Sequence, residues 1–73
     1  MGEIKYRKVN SSNIDSEVYN AEAKELYIRF NNGKEYIYFD IKSKDYATLF
    51  GKDISFGKQF RIVVKGKKYK IIE

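Results

Sequence analysis

The stretch from residue 25 to residue 40 constrains the fold more than any other part of this chain. It predicts two alternating strands around Asn32-Gly33, and an Asn-Gly pair in that position is the strongest local signal for a β-hairpin. With Asn32 and Gly33 as a two-residue loop, Asn31 faces Lys34. The expected cross-strand pairs are Phe30 with Glu35, Arg29 with Tyr36, Ile28 with Ile37, Tyr27 with Tyr38 and Leu26 with Phe39.

Side chains alternate between the two faces of a strand, so this register divides the hairpin into two surfaces. The first is an apolar core wall of Leu26, Ile28, Phe30, Ile37 and Phe39. The second, called here the predicted tyrosine face, consists of Tyr27, Arg29, Tyr36 and Tyr38. A four-residue loop keeps this register, whereas a three-residue loop slips it by one residue and mismatches the faces.

Two further strands are expected before the hairpin. Residues 3–9 form an edge strand, and residues 14–20 form a second strand with Ile14, Ser16 and Val18 on one face. The polar residues between these strands, and those before the hairpin, are typical of turns. Strands two, three and four therefore form an antiparallel meander.

Helical periodicity follows the hairpin. Ser43 is expected to cap a short helix, and Ser55 a second helix that runs to just before Gly66. The core stripe of the second helix consists of Phe56, Phe60, Val63 and Val64. Residues 69–72 form either a short last strand or a segment packed across the helices. We therefore predict a single α+β domain, residues 1–73: a small antiparallel sheet of three to four strands with two helices packed on its apolar face.

The net charge of +5 is concentrated in the last third of the chain. Residues 1–51 contain eight Lys/Arg and eight Asp/Glu, whereas residues 52–73 contain seven against two, so the excess of 7 − 2 = 5 lies there. This asymmetry favours an anionic partner such as nucleic acid, an acidic protein or a phosphate-rich surface. Solvated surface lysines with no binding role are an equally favoured alternative. The basic residues on the second helix and just after it are Lys58, Arg61, Lys65, Lys67 and Lys68.

The composition also limits the chemistry that the chain can perform. It contains no His and no Cys, which removes imidazole and thiol catalysis and leaves only oxygen ligands for a metal. The ten carboxylates show no paired spacing. We therefore expect a domain that is not an enzyme and uses no cofactor or metal. No apolar run reaches the length of a membrane span and no hydrophobic signal region is present, so a cytoplasmic location is expected.

One glycine-containing segment superficially matches a phosphate-binding loop. Between Gly51 and Gly57 lie five residues where the motif has four, and Gln59 stands where Ser or Thr would hold magnesium. The segment is therefore not an NTPase signature. Free backbone N–H groups at the start of the second helix remain a candidate phosphate site, with an ordinary capped helix start as the more favoured alternative.

The predicted tyrosine face has a functional interpretation. Sheets that present aromatic rings beside cations commonly hold single-stranded RNA or DNA by stacking on its bases. In this interpretation Tyr27, Tyr36 and Tyr38 stack on bases, while Arg29 and the basic residues of the second helix contact phosphates. Two alternatives remain open: the tyrosines are half-buried structural residues, or they form a protein-binding surface.

The order and spacing of several short motifs resemble the KTSC domain. These motifs are Ser11-Ser12-Asn13-Ile14, Leu26-x-Ile28-x-Phe30, Asn32-Gly33, Tyr36-x-Tyr38-Phe39, Tyr46 followed by Leu49, and Ser55-x-Gly57-Lys58-x-Phe60. The resemblance covers about residues 9–72. Arg61 stands where the family often has Asn, and Phe56 stands where Pro is common, so a polar role of that Asn is in doubt while the helix becomes more basic.

The resemblance implies a small domain that occurs at the C-terminus of certain lysyl-tRNA synthetases and as a stand-alone bacterial or phage protein. RNA binding is implied by that association alone. The leading hypothesis is thus a non-enzymatic binding domain for RNA or single-stranded nucleic acid. The alternative is a phage-encoded protein-interaction module that docks on a host protein through the same face or an exposed strand edge.

Overall fold

A computed structural model of the chain describes residues 5–9, 11–51 and 55–72. Its elements are β1 (Arg7–Lys8), β2 (Ile14–Asn20), β3 (Glu25–Phe30), β4 (Glu35–Tyr38), α1 (Ser43–Thr48), α2 (Phe56–Val64) and β5 (Tyr69–Ile72). The strands form one antiparallel sheet whose order, β1-β2-β3-β4-β5, follows the chain. The predicted α+β class and meander are confirmed, and β5 brings the strand number to five instead of three to four.

The register of the β3–β4 hairpin differs from the predicted one by a single residue. Leu26 pairs with Tyr38 and Ile28 with Tyr36, because the loop contains three residues and not two. The amide of Phe30 donates to the carbonyl of Lys34, and the amide of Gly33 donates back to the carbonyl of Phe30, both at 2.9 Å. Gly33 has φ +89°, the left-handed conformation that closes a three-residue hairpin loop after a turn.

This shift changes which side chains share a face. Side chains of directly paired residues lie on the same side of a sheet, so Tyr36 and Tyr38 join Leu26 and Ile28. Ile37 moves to the other side, opposite Tyr27. The predicted core wall and the predicted tyrosine face are therefore both wrong in the β4 half.

A bulge changes the faces of β2 as well. Ile14 pairs with Phe30, but the next pair is Ser16 with Arg29, so Asp15 is the extra residue. Beyond the bulge Glu17 lies opposite Ile28, on the same side as Ile14. The predicted face of Ile14, Ser16 and Val18 is therefore wrong, and the carboxylate of Glu17 points toward the core.

The two helices pack on one side of the sheet, called here the helix face, and the other side is called the reverse face. Rings of α2 contact rings of the sheet, with the Phe60 centroid 6.1 Å from Phe30 and 5.3 Å from Tyr38. The buried core consists of Ile14, Leu26, Ile28, Tyr38, Ile41, Leu49, Phe56, Phe60 and Val63. Three of the four residues predicted as the α2 core stripe are in this core, and Val64 packs against it.

The helix starts follow the capping expectations in one case and not in the other. The Ser55 side chain accepts a hydrogen bond from the amide of Lys58, so the predicted cap of α2 is confirmed. The N-cap of α1 is Lys42, which makes no side-chain capping bond, and Ser43 is the first helical residue, so the predicted cap there is wrong.

Parts of three predicted segments fall outside the described residues: the first strand before residue 5, the turn at residue 10 and the connector at residues 52–54. Within the described part, the first strand is limited to β1, which pairs with β2 through Arg7–Glu17 and Lys8–Ser16. In the same part of the chain, no helix has the length and apolar character needed to cross a membrane.

Candidate functional site

The residues of the predicted tyrosine face lie on two different faces of the sheet. Tyr36 and Tyr38 are on the helix face, whereas Tyr27 and Arg29 are on the reverse face, opposite Ile37 and Glu35. The cause is the three-residue hairpin loop, which shifts β4 by one residue against β3 and so inverts its faces. A single stacking platform made of all four side chains is therefore not present.

On the reverse face, Arg29 and Tyr27 are held by neighbouring side chains. The Arg29 guanidinium lies 4.4 Å from the centre of the Tyr6 ring and 3.6 Å from a Glu35 carboxylate oxygen. The Tyr6 hydroxyl donates to Glu35 at 2.8 Å, and burial together with this carboxylate raises the pKa of Tyr6. The Tyr27 hydroxyl donates to Glu25 at 3.1 Å, and burial followed by Glu25 raises its pKa.

On the helix face, aromatic side chains form a groove that we call the tyrosine groove. It has a volume of about 440 Å³ and is lined by Phe30, Asn32, Lys34, Tyr36, Tyr38 and Tyr69. Tyr69 of β5 is 59% exposed, and its ring centre lies 5.6 Å from that of Tyr36 and 5.8 Å from that of Tyr38. Tyr38 is only 9% exposed, and burial raises its pKa. Tyr69 and Tyr36 therefore offer ring surface to a ligand, while Tyr38 supports them from below.

A second cleft, called here the basic cleft, lies at the start of α2. It measures about 360 Å³ and is lined by Ser11, Ser12, Asn13, Ser55, Gly57, Lys58 and Arg61. Gly57 explains how the helix approaches the loop so closely, because a Cβ at this position would lie 3.2 Å from the Ser11 hydroxyl oxygen. Ser11 is itself engaged in its turn, accepting from the amides of Asn13 and Ile14.

The hairpin loop connects the two clefts. The backbone amide of Asn31 donates to the carbonyl of Asn13 at 2.9 Å, and its side-chain amide donates to the carbonyl of Ser12 at 2.7 Å. The next residue, Asn32, lines the tyrosine groove. The loops that line the two clefts are therefore in direct contact.

The other cations predicted to contact phosphate lie toward the C-terminal end of α2. Lys65 and Lys68 are exposed. The Lys67 ammonium lies 3.7 Å from a carboxylate oxygen of Asp40, with 26% of its side chain exposed, so part of its charge is compensated within the chain. Lys67 and Lys68 line a pocket of about 370 Å³ together with Asp40, whereas Lys58 and Arg61 lie together in the basic cleft.

A buried carboxylate lies away from both clefts. Glu17 is 1% exposed and accepts a hydrogen bond from the Tyr46 hydroxyl at 2.9 Å. Arg7, whose side chain is 66% exposed, reaches the other carboxylate oxygen at 3.1 Å and also donates to the Tyr46 hydroxyl. Burial and Glu17 raise the pKa of Tyr46 to about 12. Across the described residues, acidic side chains form no cluster suited to a metal ion.

Sequence reasoning missed the residue that contributes most ring surface to the groove. The sequence predicts for Tyr69 only a segment that either forms a short strand or packs across the helices. Its alternation with Ile71 was the available signal, since a strand over 69–72 beside β4 places both on the face of Tyr36. The loop residues of the basic cleft belong to the Ser11-Ser12-Asn13 motif, but they are far from α2 in sequence, so the motif alone does not predict that they contact this helix.

Comparisons with known proteins agree on one family. The sequence model of the KTSC domain matches residues 10–69. The fold is similar to the crystal structure of a KTSC domain protein from Yersinia pestis, with a TM-score of 0.81 and 27% sequence identity. The alignment covers 94% of this chain and 97% of that one. Among curated protein sequences there is no match.

Proposed function

The chain belongs to the KTSC domain family, and on that premise we propose that it is a small, non-enzymatic domain that binds single-stranded nucleic acid, with RNA preferred. Exposed rings receive bases in the tyrosine groove, and the cations of the basic cleft contact the phosphates. The observation that supports this function best is that Asn31 and Asn32 join the loops that line the two clefts, so that rings and cations lie near each other, as bases and phosphates do along a single strand.

The tyrosine groove suits a nucleobase because of how its rings are held. Tyr36 and Tyr38 lie with their planes 13° apart and their centres 6.1 Å apart, and Phe30 packs edge-on against Tyr36. These contacts fix the rings before a ligand arrives, which reduces the entropy lost on binding. Lys34 lines the same groove and supplies a cation beside the rings.

The basic cleft supplies the second half of the interface. Lys58 and Arg61 carry two positive charges at one cleft, and the surrounding hydroxyl and amide groups of residues 11–13 are hydrogen-bond partners for phosphate oxygens. Arg29 and Tyr27 lie on the reverse face, where Tyr6, Glu35 and Glu25 hold their side chains, so in this arrangement they support the sheet and do not contact the ligand.

The test is fluorescence anisotropy with labelled single-stranded RNA, single-stranded DNA and duplex RNA, each at low and near-physiological salt. Binding to a single strand that persists at the higher salt supports the proposal, since stacking adds a contribution that salt does not screen. Loss of binding to all three with rising salt would leave only non-specific charge attraction and would refute it.

Two sets of variants separate stacking from charge. Tyr69→Ala should weaken single-strand binding by about tenfold, as expected for one lost base stack, whereas Tyr69→Phe and the reverse-face variant Tyr27→Ala should leave it unchanged. Lys58→Ala should reduce the salt slope by about 0.7 per lost phosphate contact. Lys44→Ala is the charge-matched control, because α1 starts beside the β2–β3 turn, where the amide of Ile41 donates to the carbonyl of Lys24, away from the hairpin loop.

A further inference from the structure

The outer edge of β5 has the geometry to pair with an additional strand. The amide of Phe39 donates to the carbonyl of Lys68 at 2.9 Å, and this bond continues the register of Ile37 with Lys70 and Glu35 with Ile72. Hydrogen-bonded and non-hydrogen-bonded pairs alternate in an antiparallel ladder. Residues 68, 70 and 72 therefore direct their backbone groups toward β4.

It follows that Tyr69 and Ile71 direct their N–H and C=O groups away from the sheet. The same phase holds on the other side of β4, where the amide of Phe30 donates to the carbonyl of Lys34, so that residues 36 and 38 bond to β3. Among the described residues no strand pairs with β5 on its outer side. Tyr69 is 59% exposed and Ile71 50% exposed, so the edge is accessible together with its side chains.

We propose that this edge binds an extended acidic peptide segment of a partner protein, which adds to the sheet as a sixth, antiparallel strand. The edge shares the Tyr69 ring with the tyrosine groove, but the peptide pairs with the outward backbone groups of Tyr69 and Ile71, so this inference goes beyond nucleic-acid binding. Pairing with Tyr69 and Ile71 would form up to four backbone hydrogen bonds, two for each residue. Strand addition of this kind derives affinity from the backbone and specificity from alternate side chains.

The two faces of β5 determine the sequence pattern of the partner. Tyr69 and Ile71 lie on the helix face beside Tyr36 and Tyr38, so partner side chains next to them meet apolar surface. Lys70 lies on the reverse face, opposite Ile37, and it is exposed. The structure therefore selects a segment in which apolar and acidic residues alternate.

Charge decides between such a peptide and a second copy of this chain. Lys65, Lys68 and Lys70 are exposed at or next to β5, and pairing two β5 edges would bring like charges together. Edge lysines are a known protection against self-association. The same lysines attract an acidic segment, so they disfavour a second copy of this chain and favour the acidic peptide.

The binding experiment uses a fluorescent seven-residue peptide in which valine alternates with glutamate, and a control peptide with the same composition arranged in two blocks. Strand addition predicts that the alternating peptide binds at least about tenfold more tightly, because only it presents one apolar and one acidic face. Equal binding of the two peptides would mean attraction by charge alone and would overturn the proposal.

Protein variants at Ile71 test the backbone directly. Ile71→Pro removes an outward N–H without removing a bond of the β4–β5 ladder and should weaken peptide binding by about tenfold. Ile71→Val keeps the N–H and should remain within about twofold of the original affinity. Circular dichroism checks that both variants fold, and an Ile71→Pro protein that is folded and binds normally would contradict strand addition.

Amide hydrogen exchange on the unaltered protein gives a second readout. The amides of Tyr69 and Ile71 should exchange rapidly in the free protein and become protected when the alternating peptide binds, while Lys70 is protected in both states. Protection that grows with protein concentration alone would identify a second copy as the occupant and overturn the proposal. Equal protection by a uridine oligonucleotide would do the same in favour of nucleic acid.

Discussion

Replacing Tyr46 by Phe tests how the buried carboxylate of Glu17 is stabilised. The substitution removes the hydroxyl that donates to Glu17 at 2.9 Å but keeps the ring. That ring stacks on Tyr19 with centres 4.3 Å and planes 13° apart, and packs edge-on against Phe50. The change is therefore confined to the two hydrogen bonds of this hydroxyl: the one it donates to Glu17, which is 1% exposed, and the one it accepts from the solvent-exposed Arg7.

The magnitude follows from the charge of the acceptor. A hydrogen bond to a charged group contributes about 1.5–3 kcal/mol, and one between neutral groups about 1 kcal/mol. Arg7 remains 3.1 Å from the other oxygen of Glu17, and its side chain is largely exposed to solvent. We therefore expect Tyr46→Phe to lower the free energy of unfolding by about 2 kcal/mol, in the lower half of that range.

Tyr19→Phe is the matched control because it makes the same chemical change in the stacked partner ring. The Tyr19 hydroxyl donates to the neutral carbonyl of Ile41 at 2.6 Å, so its loss should cost about 1 kcal/mol. Urea unfolding followed by far-ultraviolet circular dichroism measures both variants, since the chain has no Trp to report by fluorescence. Equal costs, or a cost below about 0.5 kcal/mol for Tyr46→Phe, would refute the reasoning that Glu17 depends on this hydroxyl.

Three further outcomes are expected. The first is that stability should fall as pH rises from about 10, the pKa of tyrosine in the unfolded chain, to about 12, the pKa of Tyr46 in the folded protein, because the folded state holds this proton more tightly. Thermal unfolding measures this fall, which should be smaller in Tyr46→Phe. Gly33→Ala should destabilise the protein by about 1 kcal/mol in urea unfolding despite open space around it, because φ +89° is unfavourable for Ala. Ile28→Ala, at a position that is 0% exposed, should cost about 2–5 kcal/mol in the same assay, and a loss within 1 kcal/mol would contradict its assignment to the core.

The elements with strong local determinants were predictable from sequence. A capping serine, an apolar stripe and a terminating glycine defined α2, and all three act within the helix itself. The hairpin was located correctly because Asn32-Gly33 permits only a turn. Its register was not, since glycine in a left-handed conformation serves both two-residue and three-residue loops, and nothing local distinguishes them.

That single-residue ambiguity explains most of the error at the candidate site. The three-residue loop places Tyr36 and Tyr38 on the helix face, whereas a two-residue loop would have placed them on the face of Tyr27. The bulge at Asp15 had a similar effect on β2, because an extra residue in a strand leaves no mark in the alternation of a short polar sequence. The burial of Glu17 follows from that bulge, so it could not be predicted from the sequence.

The position of both helices between β4 and β5 has a consequence for how this chain folds. Short turns connect β2 to β3 and β3 to β4, whereas the connection from β4 to β5 contains both α1 and α2. Closing that long connection costs more chain entropy than closing a hairpin, so β5 should be among the last elements to form. During synthesis, the meander and helices would already be assembled while the edge of β4 beside Tyr36 and Tyr38 awaited its final strand.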